Sequence, residues 1–412
     1  MSDFDARLDR YAELAVRVGL NVQPQQRVFI RATRGEPEFV YRVTRAAYRA
    51  GASLVHVLWE EDAIELLRVQ HASRENLDLV VDWFAHAFNG AAERGDAILL
   101  LHSPDPELFA GIAPEQVAAH RRARLGALRP MLDAQGRNDF QWSVCHVPNA
   151  AWARRVFPDS APASSVTELW DAIFSICRVD ESDPIAAWQT HIAQLAKRCQ
   201  ALTAKQYRAL HFSSAQTDLT LGLPRGHIWA GGASTSRKGI VFAANMPTEE
   251  VFTLPHREQA EGYVTTTRPL SVSGVLIQNF TLTFENGRIT RVRASNAQNV
   301  LETLIATDKG AAHLGEVALV PASNPIARRN QIFYDALYDE NAASHIALGA
   351  AYRFTLEDGA AMTAPDFCAA GGNESTIHED AMIGSSEMNV DGVRADGTRE
   401  AVMREGEWAL EV

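Results

Sequence analysis

Two residues near the C-terminus, His378 and Asp380, have the types and the spacing of a metal-binding pair. In an extended strand, residues i and i+2 point to the same face, so an imidazole and a carboxylate at these positions can bind one cation. The residues that follow, Met382-Ile383-Gly384, place the pair at the edge of a core, where an unpaired charge is costly. The pattern is common by itself, so its meaning depends on further candidate ligands.

Carboxylates beside apolar runs supply such candidates. Glu316 follows Gly315 and starts a strand that is otherwise apolar, through Val320, so a buried carboxylate there needs a partner. Glu249 and Glu250 precede another apolar pair, and only one of two adjacent side chains points inward in an extended segment. The sequence therefore predicts that Glu250 or Glu249 is a ligand and that the other is a surface acid.

The segment from Tyr334 to Tyr352 contains three more candidates, Glu340, His345 and Tyr352 itself. We predict a helix over about residues 340–352, on which His345 and Tyr352 share one face. Glu340 and His345 are five residues apart, which fits one helical face only if the segment bends. Each of the three also has an ordinary structural explanation. Glu340 could be a capping or solvated acid, His345 a core histidine and Tyr352 a core tyrosine.

The first half of the chain has a different sequence pattern and is predicted to form a separate scaffold domain. The 412 residues exceed what one hydrophobic core usually supports, which predicts two domains. Strands that alternate with helices indicate a mainly parallel sheet in the first domain. Strands are predicted at residues 27–32, 53–59, 96–102 and 139–147, and helices at residues 3–18, 37–49 and 187–202.

Beyond residue 200 the pattern becomes strand-rich. Residues 207–223 alternate, and Asn286-Gly287 suits the two-residue turn of a hairpin over residues 281–293. The predicted fold class is α/β and α+β: an N-terminal, mainly parallel α/β domain (residues 1–200), followed by a strand-rich C-terminal metal-binding domain (residues 201–412). Further strands are predicted at residues 376–383 and 399–402, and a helix at residues 296–306.

Composition narrows the classes of partner. Acidic residues outnumber basic ones by 51 to 39, and the net charge of -12 argues against nucleic acid or an anionic membrane as the main partner. No apolar run reaches the roughly 18 residues of a membrane span, and the N-terminus lacks the basic start and apolar stretch of a secretory signal. The four cysteines have no C-x-x-C spacing. We therefore predict a cytoplasmic protein with reduced thiols.

Four motifs, in order along the chain, resemble those of the M29 family of metallo-aminopeptidases, the thermophilic aminopeptidase T group. They are Asn245-x-Pro-x-Glu-Glu-Val-Phe-x-x-Pro255, Leu314-Gly-Glu-Val-Ala-Leu-Val320, Asp339-Glu-Asn-Ala-x-x-His-Ile-Ala-Leu-Gly349 with Tyr352, and His378-x-Asp-x-Met-Ile-Gly384. The resemblance covers essentially the whole chain. It implies metal ligands at Glu250, Glu316, His345, His378 and Asp380, a ligand or active-site tyrosine at Tyr352, and a further acidic ligand at Glu340.

The resemblance also implies two divalent metal ions per chain, commonly cobalt, zinc or manganese, and a homodimer whose active sites open to an internal cavity. Several carboxylates with only two imidazoles agree with a pair of such ions, and Glu316 is the expected bridge. The implied reaction is hydrolysis of the N-terminal peptide bond of peptides by a metal-activated water. Tyr352 would donate a hydrogen bond to the oxyanion, and Glu316 or Glu250 would accept the proton of the water.

Two alternatives remain open. His345, His378 and Asp380 alone would hold the single iron of a ring-cleaving dioxygenase-like enzyme on the same fold, although such a site does not require Glu250 and Glu316. Purely structural metals are the second alternative, which the number of carboxylates disfavours. The sequence contains no H-E-x-x-H, G-x-S-x-G or Walker A motif, so zincins, serine hydrolases of that type and P-loop enzymes are not supported.

Overall fold

The computed structural model describes residues 2–35, 37–272 and 275–412, and the chain divides into two compact units. Unit 1 runs to His191 and also includes Ala233–Pro247, whereas unit 2 comprises Ile192–Gly232 and Thr248–Val412. Residues 233–247, which follow the predicted boundary at residue 200, belong to unit 1. Every candidate site residue named from the sequence lies in unit 2.

Helices lie mainly in unit 1 and strands mainly in unit 2. The α-helices are α1 (Asp3–Leu14), α2 (Pro37–Arg49), α3 (Asp62–His71), α4 (Asp82–Arg94), α5 (Pro114–Ala127), α6 (Arg129–Gly136), α7 (Ala150–Val156), α8 (Pro162–Ile176), α9 (Pro184–Lys205), α10 (Gln298–Ile305), α11 (Ala336–Glu340) and α12 (Ala364–Ala369). A π-helical turn lies at Ala15–Gly19, and 3-10 turns lie at Arg74–Asn76, Ala327–Arg329, Arg353–Thr355 and Gly359–Ala361. The strands are β1 (Arg27–Thr33), β2 (Leu54–Glu60), β3 (Ala97–His102), β4 (Trp142–His146), β5 (Ala209–Ser214), β6 (Thr217–Gly222), β7 (Ser234–Thr235), β8 (Val241–Phe242), β9 (Asn245–Met246), β10 (Val251–Thr253), β11 (Ala260–Thr265), β12 (Leu270–Val272), β13 (Val275–Ile277), β14 (Thr281–Glu285), β15 (Arg288–Arg293), β16 (Leu314–Leu319), β17 (His345–Gly349), β18 (His378–Met382), β19 (Asn389–Val393), β20 (Arg399–Arg404) and β21 (Glu407–Trp408).

Unit 1 is built on a five-stranded parallel sheet, which confirms the prediction from alternating strands and helices. The spatial order is β2-β1-β3-β4-β9, and every pairing between neighbours is parallel. Aromatic side chains join three of its helices: Tyr11 of α1 stacks on Phe39 of α2 at 5.1 Å, and Trp170 of α8 lies 5.7 Å from Phe39. Such ring packing adds to area burial and fixes the helices in one arrangement.

Unit 2 contains two antiparallel sheets, which confirms the strand-rich prediction for the C-terminal half. The larger has the order β15-β14-β11-β6-β5-β19-β20-β21, and the smaller has the order β10-β16-β17-β18. The predicted hairpin is present as β14 and β15, and its turn residues Asn286 and Gly287 have φ of 51° and 78°. Both values lie in the left-handed region that two-residue hairpin turns require, which explains the Asn-Gly pair.

The predicted helix over residues 340–352 is wrong. The helix α11 ends at Glu340, and His345 begins the strand β17, which pairs with β16 on one side and β18 on the other. All five residues of β17 are buried. A strand buried on both faces is a continuous apolar run without alternation, and periodicity does not distinguish such a run from a buried helix. His345 and Tyr352 therefore do not share a helical face.

Candidate metal centre

The candidate site lies on one face of the four-stranded sheet of unit 2. Glu316 on β16 pairs with Ala347 on β17, and Ala347 pairs with Asp380 on β18. Residues paired across neighbouring strands point to the same face, so these three side chains form a row. His345 and His378 each lie two residues before a member of this row and therefore point to the same face. The register thus brings four candidate ligands together around one small side chain.

Three further candidates approach this face from outside its central strands. Glu250 directly precedes β10, and its Oε2 lies 3.1 Å from Nε2 of His345. Glu340 ends α11, where burial and the charges of nearby carboxylates, first that of Asp380, raise its pKa well above the usual value. The ring of Tyr352 lies 5.1 Å from that of His378. The structure therefore brings all seven residues singled out from the sequence into one region.

Glu316 lies between the two histidines. Its Oε1 is 3.4 Å from Nε2 of His345, and its Oε2 is 3.8 Å from Nε2 of His378. Oδ1 of Asp380 is 3.6 Å from Nε2 of His378. Two groups of three donors result, one of Glu250, Glu316 and His345, the other of Glu316, His378 and Asp380. Glu316 belongs to both groups and presents a different oxygen to each histidine.

Backbone carbonyl groups fix the tautomers of both histidines. Nδ1 of His345 is 3.0 Å from the carbonyl oxygen of Ala343, and Nδ1 of His378 is 2.8 Å from that of Ala350. Because a carbonyl oxygen only accepts, each Nδ1–H donates, and Nε2 of the neutral ring presents its lone pair to the carboxylates. Two facing lone pairs repel each other. A proton or a metal cation must therefore lie between Nε2 and the acids.

Buried polar atoms of the site support a cation in this place. Nε2 of His345, Oε2 of Glu250 and Oδ1 of Asp380 are buried and make no hydrogen bond of acceptable geometry. Each such atom costs roughly 1–3 kcal/mol if it stays unsatisfied. Ligand atoms bound tetrahedrally at about 2.1 Å from one ion lie about 3.4 Å apart, close to the 3.1 and 3.4 Å found around His345. The residues present thus fit divalent metal ions.

A carboxyl group and an imidazole of the site both have raised pKa values. Burial raises the pKa of Glu316 to about 6, although the adjacent His345 and the charge of His378 oppose the rise. Burial alone would lower the pKa of His345, but the adjacent carboxylates of Glu250 and Glu316 raise it well above the usual value. Both shifts mean that the site holds protons tightly when nothing else neutralises the carboxylates. Metal cations would supply that neutralising charge.

The two adjacent acids before β10 only partly match the sequence-based expectation. Glu250 contacts His345, as one of the two alternatives predicted. Glu249 is 4 % exposed, so the prediction of a surface acid is wrong, and its backbone N–H donates to Oδ1 of Asn341 at 2.7 Å. Both acids precede the first residue of β10, Val251, and the alternation of side chains holds only within an extended strand.

Sequence reasoning missed the small residues that give the site its shape. Ala347 occupies the position between Glu316 and Asp380, where a longer side chain would project among the ligands. Gly231 approaches the backbone of Glu250 so closely that an added Cβ would lie 2.4 Å from its carbonyl oxygen. In the sequence, Ala347 is only an alanine within a run of larger apolar residues. Its importance becomes clear when the strand register is known.

Asp308 anchors the segment that leads into β18. Its carboxylate accepts hydrogen bonds from the backbone N–H of Thr376 at 2.7 Å, from the Thr376 hydroxyl at 2.6 Å and from the Ser375 hydroxyl at 3.0 Å. The backbone N–H of Gly310 donates at 2.8 Å. Burial would raise the pKa of Asp308, but these donors, first those of Thr376, lower it to about 2. The residues just before His378 are thereby held in place.

Asp308→Asn is expected to lower the free energy of unfolding at pH 6 by roughly 1–2 kcal/mol. Because the folded pKa of Asp308 lies below the unfolded value, its stabilisation is present above about pH 4 and is lost as the pH falls towards 2. Urea unfolding of both proteins at pH 6 and pH 3 measures this effect, and the difference between them should shrink at pH 3. Asp78→Asn, at an exposed position, is the control, and a pH-independent difference for Asp308→Asn would contradict the assignment.

Taken together, the shared carboxylate, the two fixed histidines and the neighbouring acids form a carboxylate-rich candidate centre for divalent cations, a type of site that metal-dependent hydrolases use. Comparison with known proteins agrees with this class. The chain belongs to the M29 family, described as thermophilic metalloprotease, whose model matches residues 4–408. The resemblance drawn from the four motifs is therefore confirmed.

Curated relatives match over the full length. The chain is 43% identical over 410 residues to aminopeptidase T from Thermus thermophilus and 42% identical over 410 residues to aminopeptidase AmpS from Bacillus subtilis, with 100% of each chain covered. The solved structure of wild-type AmpT from Thermus thermophilus has a TM-score of 0.94 and 42% identity, and covers 99% of this chain and 100% of that one. The fold is thus that of the AmpT structure.

A more distant structure shares the fold alone. The 2,5-dihydroxypyridine dioxygenase from Pseudomonas putida KT2440 has a TM-score of 0.56 at 13% identity, and the alignment covers 98% of this chain and 97% of that one. A protein named as a dioxygenase thus has this fold, as the dioxygenase-like alternative from the sequence supposed. The family match and the full-length relatives nevertheless favour the metalloprotease. Within the part of the chain that the structure describes, no helix is both long enough and apolar enough to cross a bilayer.

Proposed function

We propose that the protein is a metal-dependent aminopeptidase that hydrolyses the N-terminal peptide bond of peptides. The observation that carries the proposal is the position of Glu316, which belongs to two donor groups at once. Full-length relatives named as aminopeptidases support the same reaction. The second domain predicted from the sequence, residues 201–412, contains every candidate ligand and is proposed to be the catalytic part of the chain, although residues 233–247 lie in unit 1.

Two divalent ions per chain are proposed, with zinc, cobalt or manganese as the candidates for this mixture of oxygen and nitrogen donors. Glu250, Glu316 and His345 would hold one ion, Glu316, His378 and Asp380 would hold the other, and Glu340 is a proposed further ligand. The four carboxylates carry four negative charges when ionised, which two divalent cations balance. When bound, the ions supply Lewis acidity towards the scissile carbonyl and lower the pKa of water.

The side chains of the site provide the remaining chemistry. Glu316 and Glu250 are the candidates that accept a proton from the attacking water. Tyr352 is 44 % exposed beside His378, and its hydroxyl can donate a hydrogen bond to the developing oxyanion. The free α-amino group of the substrate would be bound at the same centre.

The experiment that tests this function combines metal analysis with a matched pair of substrates. Mass spectrometry of the purified protein should find two divalent ions per chain. An aminoacyl p-nitroanilide should be cleaved, and its N-acetylated form should react at least about a hundredfold more slowly because the free amine is lost. One iron per chain without cleavage would support the dioxygenase-like alternative, and two ions without cleavage would support structural metals.

Location and assembly are proposed on separate grounds. A cytoplasmic location is proposed because the four cysteines are scattered without the spacing of a disulfide framework. A homodimer is proposed from the family resemblance, and its solution mass would be twice the chain mass of 45.2 kDa. Sedimentation equilibrium measures this mass directly, and a monomeric mass would contradict the proposed dimer.

A further inference from the structure

Three aromatic side chains border the candidate metal centre in unit 2. They are Phe252, Tyr352 and Phe354, and we call them the aromatic wall. Tyr352 stacks on Phe354 with ring centroids 5.4 Å apart and an interplanar angle of 30°. The ring of Phe252 lies 6.0 Å from Tyr352 and 6.1 Å from Phe354. The three rings form one continuous apolar surface, although they come from two distant segments of the chain.

The aromatic wall lies on the same face of the sheet as the ligands. Phe252 on β10 pairs with Ala318 on β16, and Ala318 lies two residues from Glu316. Residues related in these two ways share a face of the sheet. At the other end of the wall, the ring of Tyr352 contacts that of His378 at 5.1 Å. The aromatic wall therefore lies directly beside the donor groups.

The aromatic wall keeps free surface. Tyr352 is 44 % exposed, and Phe252 and Phe354 are half-buried. By contrast, core phenylalanines of the same unit, such as Phe212 and Phe280, are fully buried. Partly exposed rings next to a cluster of convergent polar groups are typical of a ligand site, in which polar groups orient the ligand and apolar groups contact the rest of it.

We propose that the aromatic wall binds the side chain of the N-terminal residue of the substrate and makes the enzyme prefer aliphatic and aromatic residues at that position over glycine and alanine. This inference rests on the proposed aminopeptidase function. The α-amine and the scissile carbonyl flank one carbon atom, which also carries the side chain. When the ligand cluster holds both groups, that side chain must leave the cluster at its border, and the apolar border is the wall.

The test uses p-nitroanilides of leucine, phenylalanine, alanine and lysine. The wild type should have its highest kcat/KM on leucine or phenylalanine. In Phe252→Ala the ratio of kcat/KM for leucine to that for alanine should fall about tenfold, which is the range expected when a hydrophobic pocket loses contacts with a few methylene groups. Phe252→Leu, which keeps an apolar side chain, should retain most of the ratio. A wild-type preference for lysine over leucine would overturn the proposal.

Matched controls separate specificity from damage to the fold or to the metal centre. Tyr263→Ala removes a tyrosine of similar exposure, 43 %, on β11, and it should leave the leucine-to-alanine ratio unchanged. A second readout is calorimetric binding of L-leucinamide and L-alaninamide, whose affinity ratio should fall in parallel in Phe252→Ala. Metal content, measured on every variant, should equal that of the wild type.

The outcomes distinguish this inference from the function on which it rests. If the wild type cleaves none of the substrates, the aminopeptidase proposal fails, while the calorimetric ratio still tests the wall. If the wild type cleaves them and Phe252→Ala retains both ratios, only the role of the aromatic wall is overturned. Loss of metal from Phe252→Ala would also overturn it, since the residue would then act on the ligands.

Discussion

Glu316→Gln is expected to lower kcat/KM by at least about a thousandfold and to remove most of the bound metal. The carboxylate presents Oε1 to His345 and Oε2 to His378, at 3.4 and 3.8 Å, so one residue serves both donor groups. A neutral amide keeps the size of the side chain but removes the charge and one of the two acceptor oxygens. Metal analysis and kinetics on free aminoacyl substrates measure both losses.

The matched control is Glu302→Gln, because Glu302 is exposed on α10 in the same unit and loses the same charge. Glu249 is unsuitable for this purpose because it is buried. Full metal content together with normal turnover in Glu316→Gln would contradict the bridging role. A further readout excludes a general loss of folding: without metal, the variant should unfold at the same or a higher urea concentration, since one of several mutually repelling buried carboxylates is gone.

Ala347→Leu is expected to reduce turnover by at least about a hundredfold and to lower metal content, although no ligand is altered. Ala347 is the residue paired with both Glu316 and Asp380, so a larger side chain at this position projects between the two carboxylates. Cβ atoms of such paired residues lie about 5 Å apart, which leaves no room for three additional carbon atoms and a cation. Metal analysis combined with kinetics again measures the effect.

Two variants accompany Ala347→Leu. Ala347→Gly keeps the space and should keep the metal, at a modest cost in stability. Leu348→Met changes the adjacent buried residue on the opposite face with little change in volume, and it should retain both metal and turnover. If Ala347→Leu retained its metal ions and activity, the site would not lie above this row of the sheet, and the register argument would be refuted.

Several features of this protein could be read from the sequence because they depend on neighbouring residues. The same-face relation of His378 and Asp380 follows from the two-residue repeat of a strand, and the structure places both in β18. The turn at Asn286-Gly287 follows from the positive φ that these residues tolerate. The parallel sheet of unit 1 follows from the order of its elements. The four motifs also identified the family, which the comparisons confirm.

Other features depended on contacts between distant segments. His345 begins a strand and not a helical turn, because β16 and β18 supply hydrogen bonds on both sides of a segment whose apolar residues carry no periodic signal. Glu249 is buried because its segment precedes β10 and does not alternate. The importance of Ala347 and the position of Phe252 emerge only from strand register.

The sequence by itself therefore determined the fold class and the family of the chain, and it supplied the candidate metal ligands. Only the tertiary structure decided that Glu316 stands between the two histidines, that Ala347 leaves the space beside it and that an aromatic wall borders the ligands. The physical reason is that turn preference and side-chain alternation are local properties of the backbone. Register is set by the packing of strands that are far apart in the chain, and a strand buried on both faces leaves no periodic pattern to reveal it.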